Sequence, residues 1–265
     1  MRLFDRVVEL TVGQTNITGL DLAFEIEKDL EPEPNASEIT IFNLSLTNRA
    51  ALSKYQRVPV ILKAGYRDSL GVIFQGDMLR CSHIKEDACW ITVLSCGDGT
   101  NAIQSKRTNK SYAKGTPVKT VVGDLSKHLG LATGNADSQL NQLNSQLDRS
   151  LSVSTNPMAA ISRLLRHENM SVSVQNGALQ ILKKGTALAK EAISLSADSG
   201  LLASPEVGSK GEITIRALLM PEFAPGRLVH IDSALYQGLV VIHKVRFSGA
   251  SFGDTWEVEM ECGIK

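Results

Sequence analysis

The sequence predicts a mainly β protein with an α+β insert: two duplicated antiparallel β-barrel domains separated by a small helix and hairpin domain. Three observations carry this. Both tryptophans stand in the same short pattern, Trp90 before Cys96-Gly97 and Trp256 before Cys262-Gly263, 166 residues apart. Upstream of each runs the same order of an apolar alternating stretch, a polar turn and a glycine opening a second apolar stretch; Gly71 precedes Trp90 by 19 residues and Gly238 precedes Trp256 by 18. The region between the copies instead carries helix-start signals and an Asn-Gly turn.

Taken along the chain, Val7–Thr11, Leu20–Lys28 and Glu38–Leu44 have strand composition. Ser45 then caps a short helix over Leu46–Tyr55, since a serine hydroxyl satisfies an otherwise orphaned N–H of the first turn. Alternation predicts strands near 58–65, 71–84 and 88–96. Thr116-Pro117 opens a helix with its apolar stripe at Val118, Val121, Val122, Leu125 and Leu129, stopped by Gly130. Residues 132–155, rich in Asn, Gln and Ser, predict an exposed polar loop. Asn156-Pro157 opens a second helix to about Glu168. MSVSV and ALQIL around Asn176-Gly177 then read as a hairpin, because this dipeptide accepts the positive φ of a two-residue turn.

Glu212–Leu218 and the stretches near 227–233, 237–248 and 254–262 repeat the strand pattern. In the last, Trp256, Val258, Met260 and Cys262 alternate with Glu257, Glu259 and Glu261, one apolar face and one acidic face. Trp90, Thr92, Leu94 and Cys96 follow the same phase. Core packing is the reading for both tryptophans. The domains are thus 1–104, 105–203 and 204–265, with the helix and hairpin unit at 156–185. Closing each sheet would remove the edges that invite aggregation.

Composition narrows the function. The 265 residues hold 28 basic and 28 acidic side chains, with 43% hydrophobic residues. That balance disfavours a dedicated nucleic-acid binder, whose affinity rests on phosphate neutralisation. No apolar run approaches the ~20 residues that span a bilayer, and MRLFDRVVEL is no signal peptide; the expectation is a soluble protein of a cytoplasm. Cys81, Cys89, Cys96 and Cys262 form no CxxC pair, so buried thiols are favoured over zinc, including at Cys81-Ser-His83. His167-Glu168 lacks the second histidine of HExxH. His230 and His243 read as strand residues. Glu27, Asp29, Glu31 and Glu33 sit among prolines as a solvated loop. Lys106, Arg107, Lys110 and Lys114 around Tyr112 read as solvated too. With no catalytic constellation, metal site or cofactor motif, a non-enzymatic structural or assembly role is expected.

The order of parts resembles a known family. NASEITIFNLSLTNRAAL with VILKAGYRDSLGVIFQGDM is similar to the first tube-type barrel of baseplate hub proteins from contractile-tailed phages. APGRLVHIDSALYQGLVVIHKVRFSGASFGDTWEVEMEC is similar to the second, and NPMAAISRLLRHENMSVSVQNGALQIL to the small domain between them. The resemblance covers most of the chain. It implies a homotrimeric virion protein of the tail baseplate, assembled in the host cytoplasm, which adapts a hexameric tail tube to a trimeric spike. Two copies in each of three subunits would give six quasi-equivalent surfaces. Implied partners are the tail tube, spike, tape-measure and baseplate wedge proteins, with transient passage of DNA and no stable membrane binding. Glu257, Glu259 and Glu261 are then candidates for a channel wall or subunit interface. With the second copy ending at Lys265, the spike is expected on a separate polypeptide. A tailocin or type VI-like hub is the alternative; a tail-associated peptidoglycan hydrolase or a nucleic-acid-binding barrel fits less well.

Overall fold

Alternating apolar residues place strands along most of the first hundred and last sixty residues. The computed structural model describes residues 5–189, 191–209 and 211–265. By internal contacts the chain forms two units. One holds the chain up to Asp29, Asn35–Gly97 and Gly185–Lys265; the other holds Asp98–Lys184 with the 30–34 loop.

In the first unit the strands begin with β1 (Arg6–Val12), β2 (Thr15–Ile17), β3 (Leu22–Asp29) and β4 (Ala36–Phe42). Helix α1 (Leu46–Lys54) follows, and Ser45 caps it by accepting from the Asn48 N–H at 3.2 Å. Then come β5 (Pro59–Tyr66), β6 (Gly71–Glu86) and β7 (Cys89–Gly97).

The second unit comprises α2 (Thr100–Ser105), β8 (Thr108–Tyr112), α3 (Val118–Leu129), α4 (Ala136–Leu140), β9 (Leu151–Thr155), α5 (Pro157–His167), β10 (Met170–Gln175) and β11 (Ala178–Lys183). The expected stripe of α3 is buried, and Gly130 ends the helix in the left-handed region. Thr116 does not cap α3; its hydroxyl donates to the Ala113 carbonyl. Asn156 does cap α5, accepting from the Met158 N–H at 2.7 Å. The hairpin turns at Asn176 and Gly177, both with positive φ.

Residues 132–155 are not the exposed loop expected from their polarity. Leu140, Leu143 and Leu147 are buried in this unit's core, and β9 pairs antiparallel with β8. Three leucines threaded through polar residues outweigh the mean composition.

Residues from Gly185 onward belong again to the first unit, earlier than the expected boundary at 203. They supply β12 (Ile193–Ser196), β13 (Glu206–Val207), β14 (Ile213–Leu218), β15 (Leu228–Asp232), β16 (Gln237–Ala250) and β17 (Trp256–Ile264). β12 joins β15 in parallel, which fixes this return segment to the sheet.

The two copies are not two closed barrels. Their strands form one 13-stranded sheet, eleven along the path β13-β14-β17-β16-β3-β4-β7-β6-β5-β1-β2 and two off it, β15 on β16 and β12 on β15. The joint is β16 against β3, antiparallel from Lys244↔Asp29 to Ala250↔Ala23. β16 is long enough to pair β15 with its first half and β3 with its second. An edge of one copy is thus satisfied by the other, which does the work that closure would have done. One apolar core runs under both copies, from Leu10 and Phe74 to Phe247 and Met260.

Candidate assembly surface

The duplication is visible in register. Copy one runs β3-β4-β7-β6-β5 and copy two runs β13-β14-β17-β16-β15, every neighbour antiparallel. In copy one Met78 faces Cys96, Leu79 is the extra residue of a bulge, and Arg80 faces Ser95. In copy two Ile242 faces Cys262, His243 is the extra residue, and Lys244 faces Glu261. A bulge inserts one residue and sharpens the local bend. Finding it beside the same cysteine in both copies ties the Trp–Cys–Gly signature to a shared bend. Cys96 and Cys262 are buried free thiols, each pushed up to about 12, chiefly by desolvation. They serve as small core residues at the two bends. Gly97 and Gly263 follow them, and a Cβ on Gly263 would lie 2.5 Å from the His243 ring.

The tryptophans occupy matching positions, Trp90 opposite Lys85 and Trp256 opposite Gly249. Their surroundings differ. Trp256 is 3% exposed and meets Phe24 and Tyr66 edge-on at centroid distances of 5.7 and 6.4 Å, with the Arg6 guanidinium 5.4 Å from its ring. Trp90 is half-buried beneath Arg49, whose guanidinium lies 3.6 Å from the ring centroid.

Glu257, Glu259 and Glu261 point away from the core on β17, and the sheet brings further charges beside them. Arg216 of β14 and Arg246 of β16 flank Glu259 in register, and Glu27 of β3 lies beyond Arg246. Arg216 is bonded to Glu257 at 2.8 Å. Lys244 reaches Glu27 at 3.5 Å, Arg246 reaches Glu27 at 3.4 Å, and Arg246 also pairs with Glu25. Among the described residues Glu259 and Glu261 make no salt bridge. Over these four strands the face bears six carboxylates (Glu25, Glu27, Asp29, Glu257, Glu259, Glu261) against three cations (Arg216, Lys244, Arg246). The cleft between Glu27, Lys244, Arg246, Glu259 and Glu261 holds roughly 60 Å³. Small-molecule sites need about 300–1,000 Å³, so the face suits contact with a large surface rather than capture of a ligand.

This face gathers what the sequence left scattered. Glu27 and Asp29 are strand residues, not the solvated loop expected of them. The β16–β3 joint that brings them beside Lys244 and Arg246 carried no local signal. Lys110 and Tyr112, expected as solvated, both bond Asp124, at 2.8 and 2.6 Å. Those two bonds hold the Asp124 carboxyl below its ordinary range. His230 stands opposite Leu239, while His243 lies at the bulge four residues further along β16. The His83 imidazole lies 3.0 Å from the Ser53 hydroxyl, 2.9 Å from Thr92 and 3.7 Å from the Cys81 sulfur. Burial pushes the Cys81 thiol up and the imidazole down, the reverse of an activated thiolate–imidazolium pair. Among the described residues no group of three His, Cys, Asp or Glu side chains is placed to hold a metal, and no helix is long and apolar enough to cross a membrane.

The duplicated, edge-joined sheet with a second unit of helices, a hairpin and the β8–β9 pair has counterparts among solved structures. The chain is similar in fold to a tail protein of Neisseria meningitidis MC58 (12% identity, 98% of this chain and 96% of that one, TM-score 0.69) and to the 43 kDa tail protein of prophage MuSo2 from Shewanella oneidensis (12%, 96% and 95%, 0.68). It is also similar to the c3393 protein of E. coli, a component of the type VI secretion system described as resembling phage T4 tail proteins gp27 and gp5 (10%, 97% and 76%, 0.63). No curated protein sequence matches this one. The family described as baseplate hub gp41 matches residues 8–262, and the chain belongs to it. It is therefore a phage tail component with a baseplate hub role.

Proposed function

We propose that three copies of this chain form the ring at the tip of the tail. Each would offer two repeat surfaces, so the trimer meets a sixfold tail tube with six matching contacts and a threefold spike with the rest. The observation that supports this is the duplication inside one chain, down to the bulge beside Cys96 and Cys262. Two equal surfaces per subunit are what a threefold assembly needs to match a sixfold neighbour. The ring would enclose the passage for the tape-measure protein and then DNA. The net acidic face around Glu257, Glu259 and Glu261 suits such a wall, since carboxylates repel phosphates and do not hold them. Wedge proteins would contact the outside, and the role is structural, without catalysis.

A concentration series followed by native mass spectrometry tests it. A mass of three chains is the expected result. A monomer at every concentration, and still a monomer with the spike protein added, would refute the reading. A tailocin or type VI-like hub would use the same geometry; capsid genes beside the coding gene separate the phage case from it.

A further inference from the structure

The two copies differ in one respect that their equivalence exposes. In copy two, β16 beyond its bulge is paired on both sides, with β17 and with β3. In copy one the equivalent stretch of β6, beyond Leu79, pairs only with β7 among the described residues; its pairing with β5 stops at Asp77. The eight residues Leu79–Glu86 therefore present one open edge. They carry two of the protein's exposed large apolar side chains, Leu79 at 45% and Ile84 at 49%. Exposed strand edges template further pairing unless something covers them.

What covers the edge in copy two is β3, and the repeat names the counterpart of β3. It is β13, which pairs β14 as β3 pairs β4 and stands at one end of the sheet with its own outer edge open. Register carries the equivalence to single residues. Glu25 and Ile26 on β3 correspond to Glu206 and Val207 on β13. Ile26 is fully buried, beside Phe247 of β16, whereas Val207 is 59% exposed. Phe24, also buried, corresponds to the buried Pro205. The β13 strand thus has an inward-facing apolar residue and lacks the neighbour that would cover it, while β6 has the edge and lacks the strand. Within one chain β13 and β6 lie at separate places along the sheet path, so a second copy supplies the partner.

We propose that β6 of one copy pairs antiparallel with β13 of the next, in the register that β16 uses for β3. Ile84 then stands opposite Glu206, His83 opposite Val207 and Ser82 opposite Gly208. Pro205, which has no N–H to give, ends the ladder. The joint is head-to-tail, so it closes into a ring or runs on as a filament. This deepens the hub reading by naming the edge through which copies join, and its test separates the two.

Cysteines placed at Ile84 and Glu206, in a Cys81→Ser, Cys89→Ser background, test the register. Directly opposed antiparallel residues have Cα atoms about 4.5–5.5 Å apart, within the span of a disulfide. Mild oxidation is expected to link chains covalently into a closed three-chain species. Cysteines at Ile84 and Val207 would point to opposite faces and stay unlinked. A second variant, Val207→Lys, sets an ammonium in the joint opposite His83, on which the Arg49 charge already acts; it is expected to weaken assembly by at least about tenfold, with an unchanged circular-dichroism spectrum. A trimer by mass that forms no Ile84–Glu206 link, or one indifferent to Val207→Lys, overturns this pairing and leaves the hub reading standing. A monomer at every concentration with no link overturns both. Linked chains of growing mass keep the pairing and remove the threefold closure.

Discussion

The two tryptophans share a sequence pattern and differ in setting, and the difference is measurable. Trp256 is 3% exposed and packed edge-on against Phe24 and Tyr66. Truncation to alanine opens a large cavity in the first unit's core, at a cost of about 3–5 kcal/mol. Trp90 is half-buried and its chief partner is the Arg49 guanidinium. Its truncation forfeits a cation–π contact of about 0.5–2 kcal/mol and little buried area. Trp256→Phe separates the ring from its N–H. Among the described residues the indole Nε1 is buried without a hydrogen-bond partner. Phenylalanine removes that orphan donor, worth about 1–3 kcal/mol, and keeps the edge-on geometry, so the lost contacts are partly offset and the net change is about 1 kcal/mol. Urea unfolding followed by circular dichroism, with fluorescence of the remaining tryptophan as second probe, gives all three values. The expected order of loss is Trp256→Ala, then Trp90→Ala, with Trp256→Phe within about 1 kcal/mol of the parent. Equal losses for the two alanine variants, or a phenylalanine variant as damaged as Trp256→Ala, would refute the packing account.

The other predictions rest on separate contacts. Gly249→Ala puts a Cβ 2.4 Å from the Phe24 ring and should cost about 1–3 kcal/mol by overpacking; at Gly263→Ala the nearest atoms belong to the exposed, movable His243 ring, so it should cost less in the same melt. Asp98, fully buried, accepts from the backbone N–H groups of Asn176 and Gly177; Asp98→Ala should lose about 1–3 kcal/mol and speed amide exchange at those two residues. Asp124 has its folded pKa lowered by the hydrogen bonds from Lys110 and Tyr112. Its stabilisation is present above the ordinary carboxyl value and is lost as pH falls through the lowered one, so Asp124→Asn should flatten the acid limb of stability. The same substitution should bring the Tyr112 phenol, raised first by burial and then by Asp124, back towards its ordinary value in an alkaline absorbance titration. Glu259→Lys with Glu261→Lys turns the four-strand face from a net −3 to +1; the melt should move by no more than about 0.5 kcal/mol, while infectivity should drop, and a fully infectious double variant removes the face from the mechanism.

The sequence made the strands, the repeat and the helix starts legible because each is local. The phase of Trp90 and Trp256, the Ser45 and Asn156 caps and the Asn176-Gly177 turn all act within a few residues. What it hid was pairing at long range. The β16–β3 joint links residues more than two hundred apart and has no local signature, so two barrels were expected where one open sheet stands. The same joint assembled the charged face: Glu257, Glu259 and Glu261 were readable as an acidic stripe, but Lys244, Arg246 and Glu27 join them only through the sheet. The bulges at Leu79 and His243 were hidden for a related reason. A bulge is one residue of slippage between two strands, and only the paired register reveals it.

The open sheet bears on why the repeat lies within one chain. Two closed barrels would each be complete and would meet their neighbours through side chains alone. Edge-joined copies instead meet through backbone hydrogen bonds, whose register is strict because a slip of one residue turns every side chain to the wrong face. Fusing two copies fixes one such joint permanently as β16–β3; the proposed equivalent, β6 with β13, is left to form between chains. The fused joint holds Glu25 and Glu27 against Lys244 and Arg246. In the proposed joint Glu25 and Glu27 correspond to Glu206 and Gly208, and Lys244 and Arg246 to Arg80 and Ser82, so fewer charged side chains line a contact that must wait for assembly. Stability within the subunit and reversibility between subunits then come from the same strand geometry, differing only in which side chains line it.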